Sequence, residues 1–207
     1  ACNFSTFEQR VQGSSGQAVS KDQPVSSPDE KLILVDKNDR TLGQITKREA
    51  HEGDGRLHRA FSVFLFNDQK QLLLQKRSPK KNLWPGFWAN SCCSHPRAGE
   101  QLEHAVHRRL EQELNVSSMV NYLYKFEYKA SFKDVGTEHE LCSVWLGQVK
   151  GEEIEFNRDE ISEIKFISIE NMEKELVLNS DIYTPWLKLE WKRIQSDYLE
   201  RVLTMTG

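Results

Sequence analysis

A single amphipathic helix, set among segments typical of β-strands, is the feature that most limits the folds open to this chain. Within residues 100–114, apolar residues recur at every fourth position: Leu102, Val106, Leu110 and Leu114. This spacing lines one face of a helix, and that face must be buried against another layer. Asn115 follows, and asparagine tolerates the left-handed conformation that ends many helices. The segment therefore predicts a helix packed on a sheet.

Strands are predicted on both sides of this helix. Before it, the sequence predicts one hairpin from residues 32–35 and 41–46 and a second from residues 60–66 and 72–77. After it, strands are predicted at 122–130, 138–149 and 164–169. Thr184 and Pro185 predict the start of another helix, because a capping residue precedes a proline at the first helical position. This order favours a mixed α/β sandwich over a helical bundle.

The charge balance limits the class of partner. The 207 residues carry 28 Lys and Arg against 31 Asp and Glu, which gives a net charge of −3. A near-neutral chain lacks the basic surface that nucleic acid requires, so we expect no nucleic-acid partner. No apolar run approaches the length of a membrane span, so we expect no membrane association. Any anionic ligand must therefore be held by a local basic cluster.

The cysteines and the N-terminal residues bear on compartment and domain boundaries. The four cysteines, Cys2, Cys92, Cys93 and Cys142, form a poor disulfide framework, so we expect a reducing cytoplasm. Residues 1–30 contain six serines, no usable apolar period and no basic segment followed by an apolar one. They are predicted to be a flexible N-terminal extension rather than a secretory signal. Residues 31–207 are then the folded domain.

Two short motifs could carry chemistry. In Glu138-His139-Glu140, the two-residue period of a strand directs both carboxylates to one face. Two buried carboxylates repel each other unless a cation or a proton intervenes, but an isolated Glu-x-Glu is more often a solvated edge strand. In Cys93-Ser94-His95, an extended backbone places Cys93 and His95 on the same face. Cys92 then points away, as a small buried hydrophobe would.

Other candidate residues have an ordinary interpretation when each is taken alone. His51 and His58 lie in a polar stretch at a spacing that matches no helical pair of metal ligands, so surface or hydrogen-bonded histidines are the default. Four scattered basic residues would normally be solubilising charges: Lys47, Arg77, Lys81 and Arg109. Trp186 would ordinarily be a core aromatic residue. None of these residues decides the function singly.

The amphipathic helix also carries a degenerate Nudix box. That box runs Gly-x5-Glu-x7-Arg-Glu-apolar-x-Glu-Glu-x-Gly-apolar, and its spacing is preserved here by Ser94, Glu100, Arg108, Leu110, Glu113, Asn115 and Val116. Arg109 and Gln112, however, replace glutamates that in Nudix hydrolases hold the magnesium ions of hydrolysis. The substitutions keep the scaffold and remove much of the hydrolytic metal site.

With this box, several motifs in one order resemble type I isopentenyl-diphosphate isomerase. They are Arg56-Leu57-His58-Arg59-Ala60-Phe61-Ser62, Trp84-Pro85-Gly86, Asn90 to Pro96, Glu138-His139-Glu140 and Thr184-Pro185-Trp186. The resemblance covers about residues 31–200. It implies a single-domain Nudix-fold α/β/α sandwich with a mixed sheet. It also implies an isomerase of isoprenoid precursor biosynthesis, which interconverts isopentenyl diphosphate and dimethylallyl diphosphate.

The resemblance further implies two metal ions and a diphosphate site. A first divalent ion (Zn²⁺, Mn²⁺ or Mg²⁺) would be bound by His51, His58, His95, Glu138 and Glu140. A second ion, Mg²⁺, would bridge the diphosphate to Glu113 and to the backbone carbonyl of Cys93. The diphosphate itself would be bound by Lys47, Arg77, Lys81, Arg109 and Ser94.

The same resemblance implies the catalytic roles. Protonation at C4 and deprotonation at C2 would occur on opposite faces of the substrate, with Glu140 as the acid of the forward direction and Cys93 thiolate as the base. Tyr128 would hydrogen-bond near Glu140. Trp186 would stabilise the carbocation-like state through its indole face. The expected partner is a small allylic or homoallylic diphosphate, and the expected state is a monomer.

Two alternatives remain at this point. A Nudix hydrolase of nucleoside or dinucleotide diphosphates would have to tolerate Arg109 and Gln112, and it would leave Cys93, Glu138 and Glu140 without a role. A catalytically inactive Nudix binding module would need a broken acid/base pair, whereas Cys93 and Glu140 are both present.

Overall fold

A mixed β-sheet organises the part of the chain that the computed structural model describes, residues 25–150 and 154–205. The strands are β1 (Lys31–Val35), β2 (Thr41–Thr46), β3 (His58–Phe66), β4 (Leu72–Arg77), β5 (Trp88–Ala89), β6 (Cys92–Ser94), β7 (Val120–Phe132), β8 (Gly136–Gln148) and β9 (Ile161–Ile167). The α-helices are α1 (Lys47–His51), α2 (Leu102–Leu114), α3 (Ile169–Leu178), α4 (Pro185–Arg193) and α5 (Leu199–Thr204). A 3₁₀ turn spans Ser180–Ile182, and a π-helical segment, Ile194–Tyr198, joins α4 to α5.

Strand β3 lies at the centre of the sheet. It runs parallel to β8 from His58 opposite Glu140 to Phe66 opposite Gln148. It runs antiparallel to β6, where Ser62 faces Cys93, and it contacts β1 and β4 through single antiparallel pairs. Strand β8 also forms a long antiparallel ladder with β7. The predicted mixed sheet is therefore confirmed, and its parallel pair brings the starts of β3 and β8 together.

Helices cover both faces of this sheet. On one face, Phe61, Val63 and Leu65 of β3 pack against the apolar stripe of α2. On the other face, Phe64 and Phe66 pack against α4 and the segment after it. Side chains alternate across a strand, so a central strand covered on both faces is almost wholly apolar. Full burial of each large side chain stabilises the fold by about 1.5–3 kcal/mol. The predicted sandwich is confirmed.

The ends of α2 show why its predicted start was too early. The helix begins at Leu102, and Glu100 lies before it, where its side chain accepts hydrogen bonds from Arg108 Nε (2.7 Å) and from the Arg97 backbone N–H (2.8 Å). At the other end, Asn115 adopts φ 52° and ψ 36°. Its left-handed conformation confirms the predicted stop.

Helices α1, α3 and α5 were not predicted from the sequence. Helix α1 begins after Thr46, whose side chain accepts a hydrogen bond from the Glu49 N–H while the Glu49 carboxylate accepts one from the Thr46 N–H. This reciprocal pair is a capping box. Helix α3 begins after Ser168, whose hydroxyl accepts a hydrogen bond from the Asn171 N–H. Ile169, predicted to end a strand, is therefore the first residue of α3.

The packed body begins before the predicted boundary at Lys31. The Lys47 N–H donates to the carbonyl oxygen of Glu30 (2.8 Å), and the Arg48 N–H donates to that of Pro28 (2.9 Å). The Glu30 carboxylate also pairs with Arg97 at 2.6 Å. Residues 1–24 of the predicted extension lie outside the described residues. Among the described residues, no helix combines the length and the apolar character needed to cross a bilayer.

Candidate functional site

A pocket of about 850 Å³ opens where β3 and β8 begin. Its walls include these residues predicted for the site: Lys47, His51, Arg77, Lys81, Cys93, Ser94, His95, Arg109, Tyr128, Glu138, Glu140 and Trp186. His58 and Glu113 are buried behind the wall, with 0% and 2% exposure. The structure thus gathers residues that are far apart in the sequence around one cavity.

Three histidines and two glutamates form a cluster at this pocket. His51 ends α1, His58 begins β3, His95 follows β6, and Glu138 and Glu140 share one face of β8. One potential ligand atom from each residue lies within 4.8 Å of the others. His139 points to the opposite face, where it contacts Glu127 at 3.0 Å. The predicted strand alternation is therefore confirmed, and the cluster is compatible with a divalent metal.

The hydrogen bonds of the histidine ring nitrogens indicate whether the cluster could bind a cation. Nδ1 of His51 lies 2.6 Å from the Lys47 carbonyl oxygen, and Nδ1 of His58 lies 2.7 Å from that of Arg56. A carbonyl only accepts, so each Nδ1 carries a hydrogen, and Nε2 of the neutral ring presents its lone pair. Nε2 of His58 is buried without a hydrogen-bond partner among the described residues. A buried nitrogen without a partner lowers the stability of the fold, and a cation bound to its lone pair would remove that penalty.

The pKa values of two histidines in the cluster are shifted in opposite directions. Burial disfavours the charged imidazole of His51, but Glu138, 2.8 Å away, outweighs burial and raises the pKa of His51 to about 9. Burial and the neighbouring His58 and His51 lower the pKa of His95 well below its usual value. His95 Nε2 lies 2.8 Å from Glu140 Oε1. Within the cluster, His51 therefore favours its protonated form, whereas His95 favours its neutral form.

Cys93 and Glu140, the pair to which the family resemblance assigns proton transfer, both line this pocket. Burial raises the pKa of the Cys93 thiol to about 12, although Arg77 opposes the shift. Burial also disfavours ionised Glu140, but His58 and Tyr128 outweigh it and lower the pKa of that carboxyl. In this state Cys93 is a thiol and Glu140 a carboxylate. The predicted forward roles require the reverse, Cys93 thiolate and protonated Glu140.

The two adjacent cysteines occupy different environments. Cys92 is fully buried on the α2 side of the sheet and packs in the same cluster as Leu110. Cys93 lies on the other face, beside Tyr128 and Trp186, and it lines the pocket. Cys92 is therefore the small core hydrophobe predicted from the sequence.

The basic residues divide into two environments. Lys47, Lys81 and Arg109 influence one another, because burial and then the charges of Lys81 and Arg109 lower the pKa of Lys47 to about 8. Arg77 instead donates from Nε to the carbonyl oxygens of residues 83 and 84, at 3.2 and 3.1 Å. Its guanidinium carbon lies 5.2 Å from the ring centroid of Trp186. Three of the four basic residues predicted to bind diphosphate thus form one charge cluster, and the fourth, Arg77, lies over an indole.

Trp186 lies at the start of α4, with its indole fixed at the apolar side of the pocket. Its Nε1 donates to Asn90 Oδ1 at 3.2 Å, and its ring meets Trp84 edge-on at 5.3 Å between centroids. Tyr128 is the next aromatic neighbour, at 6.2 Å. The ring orientation is therefore set by a hydrogen bond and by two aromatic contacts.

Several residues that line the pocket or contact its walls were not found from the sequence. Ser26 accepts a hydrogen bond from Lys47 Nζ at 2.6 Å, and Glu160 pairs with both Lys81 and Arg109. Asn90 was recognised only as part of a motif. Ser26 falls in the predicted extension, and Glu160 follows Asp159 before β9, where no periodicity marks a buried residue. No sequence signal could have identified either residue alone.

Comparisons with known proteins agree with this geometry. The NUDIX domain family matches residues 56–187. Isopentenyl-diphosphate Delta-isomerase 1 of Photorhabdus laumondii subsp. laumondii is 42% identical over 175 residues, which make up 84% of this chain and 99% of that protein. Isopentenyl-diphosphate Delta-isomerase of Pectobacterium atrosepticum is 37% identical over 163 residues, or 79% of this chain and 90% of that protein.

Solved structures show the same fold. DR0079 from Deinococcus radiodurans matches with a TM-score of 0.63 and 25% identity, covering 77% of this chain and 96% of that chain. A MutT protein from Methanosarcina mazei Go1 matches with a TM-score of 0.54 and 16% identity, covering 67% of this chain and 93% of that chain, which is a likeness of fold alone. The predicted Nudix fold is confirmed.

Proposed function

The chain belongs to the Nudix-type isopentenyl-diphosphate Delta-isomerase family, and we propose that it interconverts isopentenyl diphosphate and dimethylallyl diphosphate. The observation that supports the proposal most directly is that Cys93 and Glu140 line one pocket, between a His/Glu cluster and the basic residues Lys47, Lys81 and Arg109. A double-bond shift needs one group that gives a proton and one that takes a proton, and this pair supplies both.

The altered Nudix box supports isomerisation over hydrolysis. Arg109 stands where a hydrolase has a metal-binding glutamate, and its Nε donates to Glu113 Oε1 at 2.9 Å. Gln112, the other replacement, accepts a hydrogen bond from Arg108 at 3.1 Å. Both positions therefore take part in side-chain pairing within α2, and neither offers a carboxylate for activating water.

The proposal also includes two divalent metal ions. His51, His58, His95, Glu138 and Glu140 would hold a first divalent ion, Zn²⁺, Mn²⁺ or Mg²⁺. Glu113 and the backbone carbonyl of Cys93 would hold a second ion, Mg²⁺, which would offset the negative charge of the diphosphate. The ions would supply fixed positive charge that orients Glu140 and neutralises the phosphate oxygens. Lys47, Arg77, Lys81, Arg109 and Ser94 would contact the diphosphate directly.

The proton steps follow from the two protonation states of the pair. In the forward direction, protonated Glu140 donates to C4 and the Cys93 thiolate removes a proton from C2, so substrate and product have the same composition. Turnover leaves Cys93 as a thiol and Glu140 as a carboxylate, and burial and the neighbouring side chains favour those same states. The reverse reaction starts directly from this state. The next forward turnover requires a proton to leave Cys93 and another to reach Glu140.

Trp186 would stabilise the intermediate charge. Protonation of the alkene gives the tertiary carbon cationic character, and an indole face attracts a cation without bonding to it. The Arg77 guanidinium carbon lies 5.2 Å from the centroid of this ring, so the indole already takes part in one cation–π contact. Burial of the site keeps water from capturing the cation.

Product identification tests the proposal. The wild-type protein is incubated with isopentenyl diphosphate and Mg²⁺, and both the allylic isomer and released phosphate are measured. We expect the isomer without phosphate. Release of phosphate would indicate a hydrolase, and binding without either product would indicate an inactive binding module, so either result would refute the proposal.

A further inference from the structure

Glu160 is a buried acid with no role in the proton chemistry. It is 5% exposed, and it lies between Lys81 and Arg109. Its Oε2 accepts from Lys81 Nζ and, at 3.2 Å, from Arg109 Nη2. Its backbone is fixed on both sides, because its carbonyl accepts from the Ser78 N–H (3.0 Å) and its N–H donates to the Asn157 carbonyl (3.1 Å). One carboxylate oxygen is thus held against two cations of the proposed diphosphate site.

The charges around Glu160 explain why an anion is needed there. Burial disfavours the ionised form of Glu160, but Lys81 and then Arg109 outweigh burial and lower its pKa to about 2. The carboxylate therefore stays ionised across the physiological range. Without an anion, the buried Arg109 and the partly buried Lys81 would repel each other, and that repulsion would destabilise the fold. Lys47 lies within the same electrostatic cluster, where Glu160 partly offsets the repulsion from Lys81 and Arg109.

We propose that Glu160 is an internal substitute for a substrate phosphate oxygen, which holds Lys81 and Arg109 in the empty pocket and releases at least one of them when diphosphate binds. The inference rests on the proposed function and adds a positioning residue to it. Diphosphate binding then replaces one anion with another beside Lys81 and Arg109. The net gain in binding free energy is therefore smaller than it would be if these cations had no anionic partner before binding. Arg109 can exchange a partner without losing its orientation, since Glu113 holds the same guanidinium.

This exchange has a consequence for turnover. Substrate and product carry the same diphosphate, so tight binding of that group would also slow product release. A carboxylate that returns to Lys81 and Arg109 competes with the departing product. Glu160 thus lowers the affinity for the group that does not react and leaves the reacting carbons unaffected.

Binding of inorganic pyrophosphate tests the exchange without any isomerisation. The full chain with Mg²⁺ is titrated calorimetrically at fixed ionic strength and pH 6.5, where Lys47, with a pKa of about 8, is protonated. Glu160→Gln keeps the size and an acceptor oxygen but removes the charge. We expect its dissociation constant for pyrophosphate to fall about tenfold, the scale of one partly screened charge interaction. Glu163→Gln is the matched control, since Glu163 is exposed and pairs with Lys76 at 3.5 Å; we expect no change there.

A second variant and a kinetic readout keep the test decisive. Glu160→Asp retains the charge on a side chain too short to reach both cations, so we expect it also to bind pyrophosphate more tightly. With isopentenyl diphosphate, both variants should lower KM without raising kcat. Unchanged or weaker pyrophosphate binding in folded Glu160→Gln and Glu160→Asp would overturn the inference. Failure of the proposed function is separate, because it would appear as absent isomerisation by the wild type.

Discussion

The Tyr128 hydroxyl donates a 2.7 Å hydrogen bond to Oε2 of Glu140, and both side chains are largely buried. Because β7 pairs Tyr128 directly opposite Glu140 in β8, the contact is set by strand register. The carboxylate therefore has one oxygen on Tyr128, while its other oxygen faces His95. These two contacts fix the orientation of the Glu140 carboxylate in the pocket.

Removing this hydroxyl should slow the reaction without weakening substrate binding. In Tyr128→Phe, the ring remains but Glu140 loses a hydrogen bond to its charged form, which is typically worth about 1.5–3 kcal/mol. We expect kcat to fall about tenfold to a hundredfold with KM nearly constant. Steady-state kinetics with a thermal unfolding control measure the effect. A wild-type kcat in this variant would mean that the hydrogen bond is only structural.

The adjacent cysteines provide a matched pair. Cys93 lines the pocket and Cys92 packs beneath α2, so only the first can reach a substrate. We expect Cys93→Ala to lower kcat by about 10²–10⁴, the usual contribution of a positioned acid or base. Cys92→Ala should retain most activity with a small loss of thermal stability. Full activity in Cys93→Ala would remove the thiol from the mechanism.

The His/Glu cluster can be tested by metal content. We expect His58→Ala to reduce bound divalent metal per chain by at least about tenfold, because the fully buried Nε2 is lost from the cluster. His139→Ala is the control, since His139 lies between the two glutamates in sequence but on the opposite face. Elemental analysis after dialysis gives the comparison. Equal metal content in the two variants would exclude His58 as a ligand.

Several parts of the site could be predicted from the sequence because they depend on local geometry. Strand alternation placed Glu138 and Glu140 on one face and separated Cys92 from Cys93. The convergence of His51, His58 and His95 could not be predicted from spacing. It depends on the parallel pairing of β3 with β8, which brings His58 opposite Glu140. Only the family resemblance supplied that long-range contact.

In the fold, too, local features could be predicted from the sequence and long-range contacts could not. The apolar stripe of α2 and the left-handed Asn115 are local signals, and both predictions are confirmed. The capping box of α1 was also present in the sequence as Thr46 and Glu49, but no apolar period accompanied it because the helix has only five residues. The pairing of Glu160 with Lys81 and Arg109 requires β9 to lie beside β4, which no residue pattern indicates.

Glu190 makes a pH-dependent contribution to stability. It is fully buried on α4, with Oε1 3.6 Å from Cys142 Sγ and with Oε2 unpartnered among the described residues. Burial raises the pKa of Glu190 from 4.5 to about 8. The folded state therefore keeps a proton that the unfolded chain loses above pH 4.5. The stability that depends on this proton is present below pH 4.5 and is lost as pH rises to about 8.

Glu190→Gln should abolish this pH dependence, because glutamine does not ionise. At pH 8 we expect the variant to exceed the wild type in unfolding free energy by roughly 4 kcal/mol, with a much smaller difference at pH 5. Denaturant unfolding at both pH values measures the effect, and Glu200→Gln on the exposed side of α5 is the control. A constant difference at the two pH values would contradict the raised pKa.

Deuterium incorporation tests the central claim, that exchangeable groups of this pocket add one proton at C4 and remove another from C2. The protein, equilibrated in D₂O with Mg²⁺, is mixed with isopentenyl diphosphate and followed by ¹H, ²H and ³¹P NMR. At early conversion we predict dimethylallyl diphosphate with one deuterium in the newly formed methyl group and an intact diphosphate, and at least about a hundredfold less of this product from Cys93→Ala in the same time. Release of phosphate without the isomer, or an isomer with no deuterium in that methyl group, would contradict the account.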